Sequence, residues 1–172
     1  FGHLSHIFGA ALGPMLRSHR HELTDYVAFL ADQARSSTAL DFIEAQRMVG
    51  VMYDTLGPML QKYEALICPT TAIPAVAADH CPVNGHVEID GVTVDPGFDW
   101  VMTWPFNLMG HCPVLSVPSG TGKNGVPTGL QIVASPYEDE KVFRVGAAVE
   151  AADPWFTRPA RRPKLKSSKK GK

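Results

Sequence analysis

Cysteine, serine, histidine and glycine-rich segments are the places where this chain could carry chemistry. Cys112 follows His111, and a thiolate nucleophile needs a base within hydrogen-bond reach. Neighbours in an extended segment point to opposite faces, so the two side chains are not set to exchange a proton. Cys68 ends the apolar run Ala65-Leu66-Ile67-Cys68 and reads as a small buried hydrophobe. Gly120-Thr121-Gly122-Lys123 invites a phosphate-loop reading, but the required first glycine falls at Val117 and Asn124 follows the lysine, so a turn is expected. Ser116 and Ser119 lack the Gly-x-Ser-x-Gly setting of a nucleophile elbow. His3 and His6, like His19 and His21 with Glu22 and Asp25 nearby, match no metal-ligand spacing, and no metal site is expected.

The elements that would have to position such residues follow from periodicity. Leu23, Tyr26, Val27, Leu30, Ala31 and Ala34 recur at threes and fours, as one face of a helix. Thr38 with Asp41 predicts a cap for a second helix, whose apolar positions Phe42, Ala45, Val49, Met52, Leu56 and Met59 keep that rhythm until Gly57-Pro58, where a kink or break is expected. Ala65 to Cys68 predicts a buried strand delivering the loop Pro69-Thr70-Thr71. Alternation on both sides of Asp90-Gly91 predicts a two-residue hairpin between His86 and Val94, because both turn residues need positive φ. Strands at Val114 to Val117 and Gly129 to Ser135, joined by a short turn, are expected to be antiparallel neighbours. Tyr137 to Ala152 carries acids in its first turn and an apolar face of Val142, Val145, Gly146, Val149 and Ala152, and Asp153-Pro154 stops it. Alternating helices and strands place the chain in the α/β class, with a mixed sheet flanked by helices.

A length of 172 residues, 45% hydrophobic and 19% charged, allows one domain with a substantial core. No apolar run approaches the roughly 18 residues of a membrane span, so no membrane partner is expected. Cys68, Cys81 and Cys112 cannot all pair within one chain, which fits free thiols in a reducing, cytoplasmic setting. The net charge of −1 hides a division: eight basic residues and no acid lie from Thr157 onward, against eight basic and 17 acidic before it. Residues 158–172 therefore read as a basic disordered tail, without the aromatics of a nucleic-acid surface, and no nucleic-acid partner is expected. Residues 1–157 read as one segment of a single domain that is incomplete here. The start at Phe1, without a basic-then-apolar leader, reads as a chain cut from something longer.

Five segments recur in order as punctuation. They are Leu66-Ile67-Cys68-Pro69-Thr70; Pro105-Phe106-Asn107 with Gly110; Pro113 to Gly120; Gly125 to Gln131, ending in Gly-Leu-Gln; and the acid-led helix Glu138 to Glu150. Over about Leu40 to Glu150 this resembles the C-terminal portion of amidase signature enzymes. Glu64 departs from that pattern, where Asp is common, and so does Thr128, where Val is usual.

The resemblance implies an amide hydrolase working without a cofactor on a small-molecule amide. A serine is activated through a second serine with a lysine as ultimate base, and a Gly/Ser loop holds the oxyanion. None of those residues can be placed here. Ser36-Ser37 and Ser167-Ser168 lack the glycine context, and the lysines begin only at Lys62, so the catalytic set is expected in a missing N-terminal half and this segment alone is expected to be inactive. By resemblance, the loop leading into Pro-x-Asn lines the substrate pocket, which makes Trp100, Met102, Thr103, Trp104 and Phe106 candidates for its wall. Aromatic groups there favour an apolar or aryl portion of the substrate. Asn107 is expected to bond loop backbone, and the Gln131 amide to satisfy buried polar groups inside the sheet. A related branch, the amidotransferase A-type subunits that release ammonia from glutamine, carries an acid a few residues before Pro-x-Asn. Trp100 stands about there, and Asp99 is one residue out of register. A truncated or split binding module is the non-enzymatic alternative, and a homodimer is a further assembly that the resemblance implies.

Overall fold

The computed structural model describes residues 2–157, so the basic tail and Ser167-Ser168 lie outside the described residues. Three helices come first: α1 (Gly2–His19), α2 (Asp25–Gln33) and α3 (Ala39–Lys62). Leu16, Ala28 and Ala31 are buried between α1 and α2, with Leu12 and Leu23 packed against them. The chain approaches itself so closely here that a Cβ on Gly9 would lie 1.9 Å from the Cβ of Ala34.

Local chemistry fixes where the helices start. Thr24 Oγ1 accepts from the Val27 amide at the head of α2. At α3 the Asp41 amide donates to Thr38 Oγ1 at 3.2 Å while Asp41 Oδ2 accepts from the Thr38 amide at 2.7 Å, a reciprocal capping box. The Thr38 amide and the Thr38 hydroxyl, which also donates to Asp41 Oδ2 at 2.7 Å, favour the charged carboxylate and hold Asp41 below the usual aspartate range.

Of the kink or break expected at Gly57-Pro58, the break does not occur: α3 is continuous through Pro58 to Lys62. Proline removes one amide donor near the end of the helix, while Leu56 and Leu60 on either side are buried in the main core. Tertiary packing on both flanks of Pro58 outweighs the single lost hydrogen bond.

Strand β1 (Leu66–Pro69) pairs with β5 (Pro127–Val133), which pairs with β4 (Val114–Thr121), giving the order β1-β5-β4. All these pairings are antiparallel, so the expected mixed pairing is absent among the described strands, although the α/β class holds. β1 is an edge strand in this sheet rather than a buried one, and Ile67 is 45% exposed. β2 (Val87–Ile89) and β3 (Val92–Val94) form the separate hairpin, with Asp90 at φ 49° and Gly91 at φ 79° in its turn.

Each face of the sheet is covered by a helix. Val133 packs with Leu56, Leu60, Met109 and Cys112, against α3 and the short α4 (Trp104–Leu108). On the other face Ile132 and Ala134 meet Val142 of α5 (Asp139–Ala152). Gly146 lets α5 come close, since a Cβ there would sit 2.4 Å from Leu115 Cδ2.

Candidate functional site

The segment between the hairpin and α4 is shaped by its own carboxylates. Asp95 Oδ1 accepts from the Gly97 and Phe98 amides at 2.8 and 2.9 Å, and Asp99 Oδ2 accepts from the Asp95 amide at 3.0 Å. The Asp95 bonds are Asx-type, the Asp99 bond reaches back four residues, and together they wind residues 95–101 into successive turns. The Val101 amide closes the last turn on Phe98 O at 3.0 Å.

Beyond that turn the chain is laid along the end of β1. Ala72 N–H donates to Trp100 O at 2.8 Å and Met102 N–H to Thr70 O at 3.0 Å, with an antiparallel bridge between Thr71 and Val101. Gln131, 1% exposed in the central strand, completes the attachment: its Nε2 donates to Pro69 O and to Met102 O, both at 2.9 Å. The expectation that this amide serves buried polar groups from inside the sheet is met.

Thr103 then precedes α4, which opens Trp104-Pro105. Proline is at home in a first turn because its missing donor is not needed there. Asn107 N–H donates to Thr103 O at 3.0 Å. The Trp104 ring tilts against Phe98 with centroids 5.3 Å apart.

A cleft of about 570 Å³ opens beside this loop, lined among others by Met102, Trp104, Phe106, Phe98, Asp99 and Cys68. A second cleft of about 800 Å³ lies across Trp104, Pro105 and Phe98, where α4 faces Met48 and Met52 of α3 and His3 and Ile7 of α1. Three of the five wall candidates, Met102, Trp104 and Phe106, thus meet in the smaller cleft. Trp100 and Thr103 do not line it: Trp100 Nε1 donates to Pro96 O at 2.9 Å, and Thr103 contributes its carbonyl to the start of α4.

Asp99 reaches the cleft although strand alternation disfavours it. Residues 96–100 are turns, not strand, so the two-residue period does not govern which side chain faces inward. The contributions of Leu66 and Cys68 from β1 are not foreseen from the sequence; their position at the strand end that delivers the loop is the available signal.

The two thiols nearest this region are held in their neutral form. Burial pushes the Cys68 thiol up, offset in part by the neighbouring Gln131 amide, so the thiolate is disfavoured at neutral pH. Burial pushes the Cys112 thiol up as well, and Cys112 lies in the core. Ser37 Oγ and His6 Nδ1 are 3.1 Å apart where α1 meets the segment leading into α3, but the nearby Asp41 carboxylate is held by the capping box. Among the described residues no three His, Cys, Asp or Glu side chains are grouped to hold a metal ion, and no helix is long and apolar enough to cross a membrane.

The sequence profile of the Amidase family matches residues 10–143. The chain belongs to the amidase family. It is 30% identical over 141 residues to an acylamidase of Rhodococcus erythropolis, covering 80% of this chain and 28% of that protein. It is 35% identical over 111 residues to the glutamyl-tRNA(Gln) amidotransferase A-type subunit of Pediococcus pentosaceus, covering 64% of this chain and 21% of that one. Among solved structures, a bacterial aryl acylamidase of the amidase signature enzymes family superposes with a TM-score of 0.74 at 26% identity, over 93% of this chain and 34% of the other. This amidase-family chain therefore spans less than a third of the length of these two curated relatives.

Proposed function

We propose that the chain is the C-terminal scaffold and pocket wall of a serine-dependent amide hydrolase, with the Ser-Ser-Lys set supplied by sequence preceding it. The observation that carries this reading is the cleft against the 98–106 loop. It is largely apolar and aromatic, and its loop is anchored to the sheet by Gln131 and two backbone bonds. Met102, Trp104 and Phe106 would hold the apolar or aryl portion of a small amide. Trp100 would support that wall through its carbonyl and its indole N–H, and Thr103 through its carbonyl. The acylamidase and aryl acylamidase relatives support an amide with such a portion.

The test is turnover of an anilide by the purified chain, which is expected to equal that of heat-denatured protein. Hydrolysis that co-purifies with the folded chain through successive columns would refute the division of labour. In the complete protein, Trp104→Ala and Phe106→Ala are expected to raise KM for an anilide more than for acetamide.

A second reading has one observation in its favour. Asp99 lines the cleft, where a carboxylate could hold the ammonium of an amino-acid amide, as the amidotransferase A-type branch requires. Ammonia release from glutamine that is lost in Asp99→Asn would favour it; anilide hydrolysis indifferent to that change would favour the first.

A further inference from the structure

We propose that Gln131 is a positioning residue whose amide sets the loop carrying the cleft wall, so that the sheet interior, rather than the loop itself, fixes where Met102 and Trp104 stand. The inference rests on the reading of that loop as the substrate wall.

Gln131 lies in the central strand, directly across from Cys68 of β1 on one side and Ser116 of β4 on the other. Its Nε2 reaches two carbonyls that belong to different segments, Pro69 O at the end of β1 and Met102 O in the loop, each at 2.9 Å. Both acceptors are carbonyl oxygens, so a flipped amide would set oxygen against oxygen; the orientation is fixed by chemistry. The cost of this arrangement is visible in the same side chain. Oε1 is buried and makes no hydrogen bond within the described residues.

A leucine or methionine would fill this interior position without leaving an acceptor unpaired. The amide's distinctive contribution is the donor pair. Met102 is held at both backbone groups, its carbonyl by Gln131 and its N–H by Thr70 O, and Trp104 begins α4 two residues on.

Amide hydrogen exchange on the folded chain tests this with Gln131→Met, which keeps length and removes both donors, and Gln131→Glu. In Gln131→Met, exchange at the Ala72 and Met102 amides is expected to rise roughly tenfold or more, the equilibrium weight of one to two lost hydrogen bonds. Amides of the β4–β5 ladder should stay within about threefold of the parent if the role is local. Gln131→Glu should match Gln131→Met at about pH 8, where a carboxylate has no hydrogen to donate. Corrected for intrinsic exchange, it should regain protection toward about pH 5, where a buried glutamate is protonated and donates one bond.

Unchanged protection at Ala72 and Met102, or a loss spread equally over the β4–β5 ladder, would overturn the proposal. So would the absence of pH-dependent recovery in Gln131→Glu, which decides the matter if Gln131→Met does not fold. Exchange, not turnover, is read, so failure here leaves the pocket wall standing. An unaltered KM in Trp104→Ala would remove the wall and leave the positioning role intact.

Discussion

Gly9 and Gly50 offer a comparison in which the same substitution should have opposite signs. Each lies inside a helix, and alanine is favoured over glycine in a helix interior by about 1 kcal/mol. At Gly50 a Cβ meets nothing within 4 Å, so Gly50→Ala should gain about that amount. At Gly9 the new Cβ would fall 1.9 Å from Ala34 Cβ and 3.3 Å from Ala34 Cα. Carbon atoms pack at roughly 3.5–4 Å, so α1 and the Ala34 turn must part by about 2 Å against the Leu16–Ala28–Ala31 cluster. Overpacking that cannot be relieved by rotating a side chain belongs at the upper end of the usual range, about 3 kcal/mol, leaving a net loss of about 2 kcal/mol.

Thermal unfolding followed by far-ultraviolet circular dichroism reads both changes. For a chain of this size each kcal/mol moves Tm by about 2–4 °C, so Gly50→Ala should rise by about 2–4 °C and Gly9→Ala fall by about 4–8 °C. Ala34→Gly combined with Gly9→Ala should recover most of the loss, a coupling of about 2 kcal/mol in the double-mutant cycle. A Gly9→Ala protein as stable as the parent, or additivity in the cycle, would refute the close approach that places α1 beside the larger cleft.

Two further outcomes follow from titratable groups. The folded-state titration of Asp41 is depressed by the Thr38 bonds, so its stabilising share is present above the unfolded aspartate range and is lost as pH falls through the folded value. Acid titration of helicity should lose that share below about pH 4, and Asp41→Asn should flatten the profile there. The Cys112 thiol is core-buried and pushed up, so neutral iodoacetamide should leave it unmodified until the chain unfolds, whereas half-buried Cys68 should react slowly in the folded state. Mass spectrometry of time-resolved digests reads the order, and modification of Cys112 ahead of Cys68 would contradict it.

Much of the scaffold is legible in the sequence because short-range chemistry decides it. Thr38 and Asp41, Asp90-Gly91, and the acid-led helix stopped by Asp153-Pro154 carry their own instructions. Helix α1 is not legible, since its glycines, histidines and Pro14 give no clear apolar period and its stability comes from docking on α2. The continuation through Pro58 escapes the sequence for a related reason: the compensating contacts of Leu56 and Leu60 are long-range. At the cleft, residue types do not say which side chains of the 98–106 loop face inward: Met102, Trp104 and Phe106 line it, and Trp100 and Thr103 do not. That choice is made by Asp95 and Asp99 bonds that convert an expected strand-like alternation into turns.

The order of strands has a consequence for the chain's synthesis. β5 lies at the centre of the sheet and is made last of the three strands, so among the described strands β1 waits roughly 60 residues for its partner. At about 5–20 residues per second that is a wait of roughly 3–12 s. The intervening Asp-Gly hairpin can close within microseconds, but it supplies no edge to β1. Until Gln131 and its neighbours leave the ribosome, Pro69 O and Met102 O have no shared donor. The two segments can already meet through the Ala72–Trp100 and Met102–Thr70 backbone bonds, but a nascent chain stalled before Gly129 would hold them without the buried donor that both carbonyls share.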